Sequence, residues 1–326
     1  MNQSLFEYTY QDQWEQFRLL IEAMEAKPTG RVAVDIPIEE FPRRYRKLCN
    51  HYGLARTRHY SPALVDSLHG LVLRGHRQLY RKKTSPVWAT VTFIARDFPR
   101  TLRQQLLAFW LAFALFYIPL AAVGLATYRD PVLLYSLMGE GKVASLESMY
   151  HPESGRFGRT EKQRSETDFQ MFGYYIFNNI SIGFRTFAGG MIFGLGSVFA
   201  LLFNGVMIGG VAGYLSHPPY GPIFWQFVLG HGALELTAIV ISGAAGLLLG
   251  ASLIRPGRYR RVDSLRLQAP VALKLVMGAA VMFLGAAFIE AFWSSFNLPE
   301  AAKYAFAGCT WALVILYFLF AGRKTT

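Results

Sequence analysis

Along residues 1–105 apolar positions return every three to four residues, and from Leu106 onward they cease to alternate with polar ones. The first pattern is that of amphipathic helices and the second that of segments buried all round. In the segment "YQDQWEQFRLLIEAMEA" Trp14, Phe17, Leu20, Ile21 and Met24 share one helical face. The stretches "IEEFPRRYRKLCNHYGLAR" and "SPALVDSLHGLVLRGHRQLYRK" repeat the pattern, the second with Ser61 as an N-cap candidate and Pro62 at the first helical position. A soluble bundle of three or four helices is expected. Residues 86–105 interleave Val87, Trp88, Val91, Phe93, Ile94 and Phe98 with Arg96, Arg100 and Arg103. That mixture predicts an amphipathic helix lying on a membrane surface, or else a linker helix packed on the bundle.

The unbroken apolar runs fall at 106–127, 186–215, 223–254, 270–293 and 304–322. Each is close to or above the roughly 20 residues a helix needs to cross a hydrocarbon core. The expected fold is therefore all-α: a polytopic transmembrane bundle over 106–326, preceded by a helical head over 1–105. Between the first two runs, 128–180 is the one long polar excursion, expected as a loop or small helical insert on the far side of the membrane.

Composition agrees: 52% of the 326 residues are hydrophobic and 15% aromatic, too apolar for a polar-surfaced globule of this length. The formal charge is +12, and its placement matters more than its size. Residues 1–105 hold 17 Lys and Arg against 10 Asp and Glu, 128–180 holds 6 against 7, and 255–269 holds 5 Arg against Asp263 alone. By the positive-inside rule the head and the 255–269 segment belong in the cytoplasm. The opening "MNQSLFEYTYQDQWEQF" lacks the apolar core of a secretory signal, so the head is expected to stay where it is made. Contact with anionic lipid explains the basic excess better than nucleic acid does.

One inconsistency follows. If 186–215 and 223–254 each cross once, the arginines of 255–266 emerge on the outer side. A bent or hairpin element within 186–215, broken at Gly189, Gly190, Gly194, Gly196 or at Asn204 and Gly205, removes the conflict. The expectation is thus five apolar segments making an effective six crossings, with both termini cytoplasmic.

Between Thr186 and Ile254 the only acidic residue is Glu235, and no Lys or Arg occurs. A carboxylate in lipid costs several kcal/mol and needs a partner. His231 lies one helical turn earlier on the same face. Glu290 and the amides Asn178, Asn179 and Asn204 are the further candidates for an intramembrane polar cluster, with Arg185 at the edge of its apolar run as another. The set is read first as glue between helices, with an ion or proton pathway and metal ligation as alternatives. No HExxH pattern is present, "HGALE" does not supply the base geometry of a zinc protease, and no cofactor is expected. The serines lack a matching His and Asp, so no enzyme activity is expected. Cys49 and Cys309 lie in regions of different character and are read as small hydrophobes rather than a disulfide.

Small residues spaced for close helix approach run through Gly189, Gly190, Gly194, Gly205, Gly209 and Gly213, and again through Gly243, Gly246 and Gly250. They serve packing within one chain or a seam between two copies, and among partners a homo-oligomer, with the dimer favoured, stands beside lipids and unidentified proteins.

The segments "NNISIGFRTFAGGMIFGLGSVFALLFNGVMIGGVAG", "HGALELTAIVISGAAGLLLGASLIRPGR" and "GAAFIEAFWSS" resemble the stage II sporulation protein M family of bacterial integral membrane proteins. The pairs Asn178–Asn179, Asn204–Gly205 and Ile289–Glu290, and His231 and Gly232 with Glu235, fall in that family's order. The head is similar to the cytoplasmic extension of its larger members. The resemblance implies a protein of the bacterial cytoplasmic membrane that is not an enzyme of known reaction. In spore formers the short relative looks like a scaffold for peptidoglycan-remodelling partners during engulfment. The long head and the 128–180 segment depart from that form.

Overall fold

The computed structural model describes residues 1–25, 40–79, 85–154, 158–159, 167–296 and 298–323. Its ordered elements are all helical among these residues. The chain divides into two compact units, Met1–Ser85 and Pro86–Thr326.

In the first unit α1 (Gln3–Glu25), α2 (Phe41–Thr57) and α3 (Pro62–Leu79) make a three-helix domain. Its core takes Trp14, Phe17, Leu20 and Ile21 from the expected face of α1, against Phe41, Leu48, Ala55 and Leu68. Phe17 stacks on Phe41 with ring centroids 5.1 Å apart. Ser61 does not cap α3 through its hydroxyl. Instead, Gln3 Nε2 donates to Ser61 Oγ, and the Ser61 amide donates to Gln3 Oε1.

The boundary falls at Ser85 and Pro86 rather than near 105 because the amphipathic stretch packs into the second unit. It is a bent helix: α4 (Pro86–Thr92), a π-helical turn Phe93–Asp97, and α5 (Phe98–Gln104). Phe98 and Leu102 are buried, whereas Val87 and Trp88 are 70% and 67% exposed. The Tyr317 hydroxyl donates to the Ile94 carbonyl at 2.5 Å, tying the stretch to the last helix.

Among the described residues five helices are long and apolar enough to span a bilayer: α6 (Leu106–Arg129), α10 (Leu195–Leu215), α11 (Gly221–Ile254), α12 (Arg261–Ile289, prolonged by a π-helical turn Glu290–Ser294) and α13 (Glu300–Phe320). This is a membrane protein. The 186–215 run contains no hairpin of two crossings, since α10 is continuous from Leu195 to Leu215. The break lies before it, at 189–194, where Gly194 adopts φ +81° as α10 begins, a conformation that costs glycine little.

Ahead of that turn runs α9 (Asp168–Ala188), inside the stretch expected to be an external insert. Its Gly183 meets Phe283 and Ser242, and Gly190 just beyond it abuts Gly246. Rising numbers in α9 therefore match rising numbers in α11, and the two run side by side. At 21 residues it is roughly 30 Å long, a bilayer's depth. The remainder of 128–180 holds α7 (Val132–Met138) and α8 (Glu140–Tyr150), whose Leu134, Val143 and Tyr150 pack with Tyr214, Leu215, Phe224 and Phe227. They cover the ends of α10 and α11. Most of the charged stretch 155–166 lies outside the described residues.

The glycine stripes are occupied within the chain. A Cβ on Gly205 would come 2.3 Å from the Phe116 carbonyl oxygen, on Gly209 2.3 Å from that of Leu120, and on Gly213 2.2 Å from that of Gly124. That parallel register joins α6 to α10. Gly189 faces Gly196, Gly190 faces Gly246, Gly250 faces Gly194, and Gly243 receives Leu201.

Candidate functional site

Three elements bring the polar set together near the end of the bundle that carries α7 and α8. From α11 come His231 and Glu235, four residues and one turn apart, with His231 Nε2 3.7 Å from Glu235 Oε2. From the π-helical turn ending α12 come Glu290 and Ser294. The extra residue in such a turn shifts the helix face, and π-turns are frequent at functional sites. His231 Nδ1 and Ser294 Oγ share a hydrogen bond of 3.2 Å. One ligating atom each from His231, Glu235 and Glu290 lie within 4.8 Å of one another.

The third element is α9. Asn178 Nδ2 donates to Asn179 Oδ1 at 3.1 Å. The Asn179 amide nitrogen stands beside Glu290 without a completed hydrogen bond, in a residue only 2% exposed. His231 is 4% exposed and Ser294 1%, while the two glutamates are partly buried.

A cavity of about 270 Å³ leads to this cluster, lined by Met149, Tyr150, Gly158, Tyr174, Tyr175, Asn178, Phe227 and Glu290. Of the three ionisable residues, Glu290 lines it. The next turns of α11 toward the opposite end of the bundle present Ala238, Ile239, Val240, Ile241, Ala244 and Ala245 at zero exposure, with the Ser242 hydroxyl buried among them.

Two residues expected in the cluster lie elsewhere. Asn204 sits on α10, against α6, and its Nδ2 donates to the Ala200 carbonyl of its own helix at 2.7 Å. Arg185 follows Asn178 by seven residues, about 10 Å further along α9; it is exposed and has no ion pair among the described residues. The sequence placed both in apolar runs but could not fix their depth. Conversely, Tyr150, Tyr175 and Phe227 were not singled out, because only the folding of α8 over the helix ends makes them walls. Lys303, 4% exposed, donates to the Ser294 carbonyl at 3.1 Å. A lysine inside "EAAKYAF" at the head of an apolar run was the available signal.

Near the recess, buried Arg159 is paired with Asp168 at the start of α9. Thr167 caps that helix with a reciprocal capping box to Gln170. These contacts fix the α9 end that presents Asn178 and Asn179.

The family model described as stage II sporulation protein M matches residues 106–295, and a domain of unknown function (DUF8413) matches 4–81. No curated protein and no solved structure matches the chain. The first match runs from the start of α6 to the residue after Ser294, enclosing every member of the polar cluster, and the second covers the three-helix head. With more than half its length under that model, the chain belongs to the stage II sporulation protein M family, with an additional helical domain at its N-terminal side.

Proposed function

We propose that this chain is a scaffold of the bacterial cytoplasmic membrane, not an enzyme, coupling a cytosolic helical head to protein partners in or across the bilayer and linked to cell-envelope remodelling. The observation that carries this reading is the tight packing of α11 beyond Glu235. A transporter needs a polar path through the bilayer, whereas here the ionisable groups are followed along α11 by fully buried Ala238, Ile239, Val240, Ile241, Ala244 and Ala245, with Ser242 as a buried hydroxyl among them.

The contacts support a six-pass topology. Five apolar helices, with α9 as a sixth pass, would put the start of α6 and the end of α13 on one side. The Arg261 guanidinium lies 5.8 Å from the centre of the Phe193 ring, so the 189–194 turn and the 255–260 loop share one end. That end collects Arg185, Arg255, Arg258, Arg260 and Arg261, while 216–220 and 295–299 at the other contain no Lys or Arg. The positive-inside rule makes the arginine end cytoplasmic. Self-association, which the glycine stripes suggested, would use the lipid-facing apolar surfaces, because those stripes already pack inside the chain.

A transporter is the rival reading, favoured by the recess that reaches Glu290. Proteoliposomes containing the full chain decide between them. The scaffold predicts no proton or sodium flux above empty vesicles, together with crosslinks in native membranes that the head-deleted chain loses. Flux abolished by Glu235→Gln would replace the scaffold with a transporter.

A further inference from the structure

We infer that His231, Glu235 and Glu290 form a binding site for a divalent transition-metal cation of the zinc kind beside the recess that Glu290 lines. The donor set is one imidazole and two carboxylates, the ligand types that first-row divalent cations accept, and too few oxygens for the six to eight that calcium takes. Bonds of about 2.0–2.2 Å place the ligand atoms of a tetrahedral site about 3.4 Å apart. One pair stands at 3.7 Å and all three lie within 4.8 Å. Side-chain shifts of about 1 Å, within reach of two glutamates with free torsions, close the remainder.

Charge balance points the same way. A neutral imidazole with two carboxylates carries −2, which a divalent cation cancels. No Lys or Arg occurs on α11 to do so. Two carboxylates facing each other out of water are otherwise costly.

The surroundings have the layered form of a metal site. With His231 Nδ1–H donating to Ser294 Oγ, the Nε2 lone pair faces the glutamates, the orientation that outer partners impose on ligating histidines. Asn178 holds Asn179, and the buried Asn179 side-chain amide faces Glu290, placed to hold a ligating carboxylate. The recess reaches the site through Glu290, which lines it, and provides the entry path.

The test is metal content. Full-length protein in nanodiscs, stripped with chelator and dialysed against Zn²⁺, should retain one zinc per chain by mass spectrometry. His231→Ala and Glu290→Gln should lose it, while Glu300→Gln, at the start of α13 and bonded to Gln226, should keep it. Asn179→Ala keeps all three ligands and should weaken binding about 10–100-fold. Co²⁺ added to the wild type should give visible d–d absorption, a readout that needs no variant to fold. Absence of stoichiometric zinc from monodisperse wild type, undiminished binding by Glu290→Gln, or equal displacement by Mg²⁺ overturns the site. The site is separate from the scaffold reading: metal binding without flux supports both, and failure to bind leaves the flux result standing.

Discussion

The guanidinium of Arg103 donates to the carbonyl of Ala321 at 2.5 Å across 218 residues of sequence, and to that of Phe318 at 2.7 Å. These carbonyls end α13 and have no partners within the helix. The arginine thus closes the last transmembrane helix from the segment that precedes the first one. Charged donors of this kind are worth about 1.5–3 kcal/mol. Arg103→Ala is expected to lower thermal stability by that order in detergent, with Arg103→Lys recovering only part, since a single ammonium does not reproduce the fork. Equal melting of wild type and Arg103→Ala would remove this closure from the fold.

The glycine stripes give a second prediction. At Gly209 a methyl group would sit 2.3 Å from the Leu120 carbonyl oxygen, so Gly209→Ala must part α6 from α10. Overpacking of this type costs about 1–3 kcal/mol. At Gly173 nothing lies within 4 Å, and Gly173→Ala should leave melting unchanged or slightly raised. Thermal unfolding of the two variants separates the cases. A seam between copies would instead show itself as a change of mass in gel filtration at unchanged melting temperature.

These two contacts show which features the sequence carried. Long apolar runs located α6, α11 and α13 within a few residues, because in lipid hydropathy and span coincide, whereas α10 begins nine residues after the start of its run and α12 nine residues before. The pairing of His231 with Glu235 was legible from their one-turn spacing. By contrast, α9 escaped hydropathy because Asp168, Gln170, Asn178, Asn179 and Arg185 dilute it. Its polar side chains are tolerated because one face packs on α11 and α12 and bears the recess. The role of Arg103 was illegible for another reason: a basic residue beside an apolar run looks the same whether it meets lipid phosphate or a distant helix end.

In the head, Trp14 Nε1 donates to His51 Nδ1 at 3.1 Å, so His51 must be unprotonated at that nitrogen. Burial, and secondarily the charge of Lys47, hold the His51 pKa below its ordinary value. A depressed folded pKa means the unfolded chain binds the proton more readily. The contribution is therefore complete above about pH 6.5, the unfolded value, and is lost as pH falls toward the folded one. The protection of α1 and α2 amides against hydrogen exchange in the full chain, relative to their intrinsic rates, should fall as pH drops below about 6.5. His51→Gln, which keeps an acceptor without a titrating group, should flatten that dependence. A wild-type profile that is already flat would refute the coupling.

The six-pass arrangement makes the sharpest claim about orientation, because moving the extra pass from 186–215 to α9 changes which residues are exposed at each face. With Cys49 and Cys309 replaced by serine, single cysteines at Glu153 and at Arg260 should label from opposite sides of sealed cells. Glu153 follows α8 on the side of 216–220, and Arg260 precedes α12 on the side of the 189–194 turn. An impermeant maleimide is expected to reach the cysteine of Glu153→Cys in intact cells and that of Arg260→Cys only after permeabilisation. If α9 lay on the surface rather than crossing, 255–260 would emerge with 130–154, and both cysteines would label from outside. Five arginines would then face outward against the positive-inside bias, and the recess above Glu290 would lose the wall that carries Asn178 and Asn179. Labelling of both positions in intact cells would therefore dismantle the topology and the polar site together.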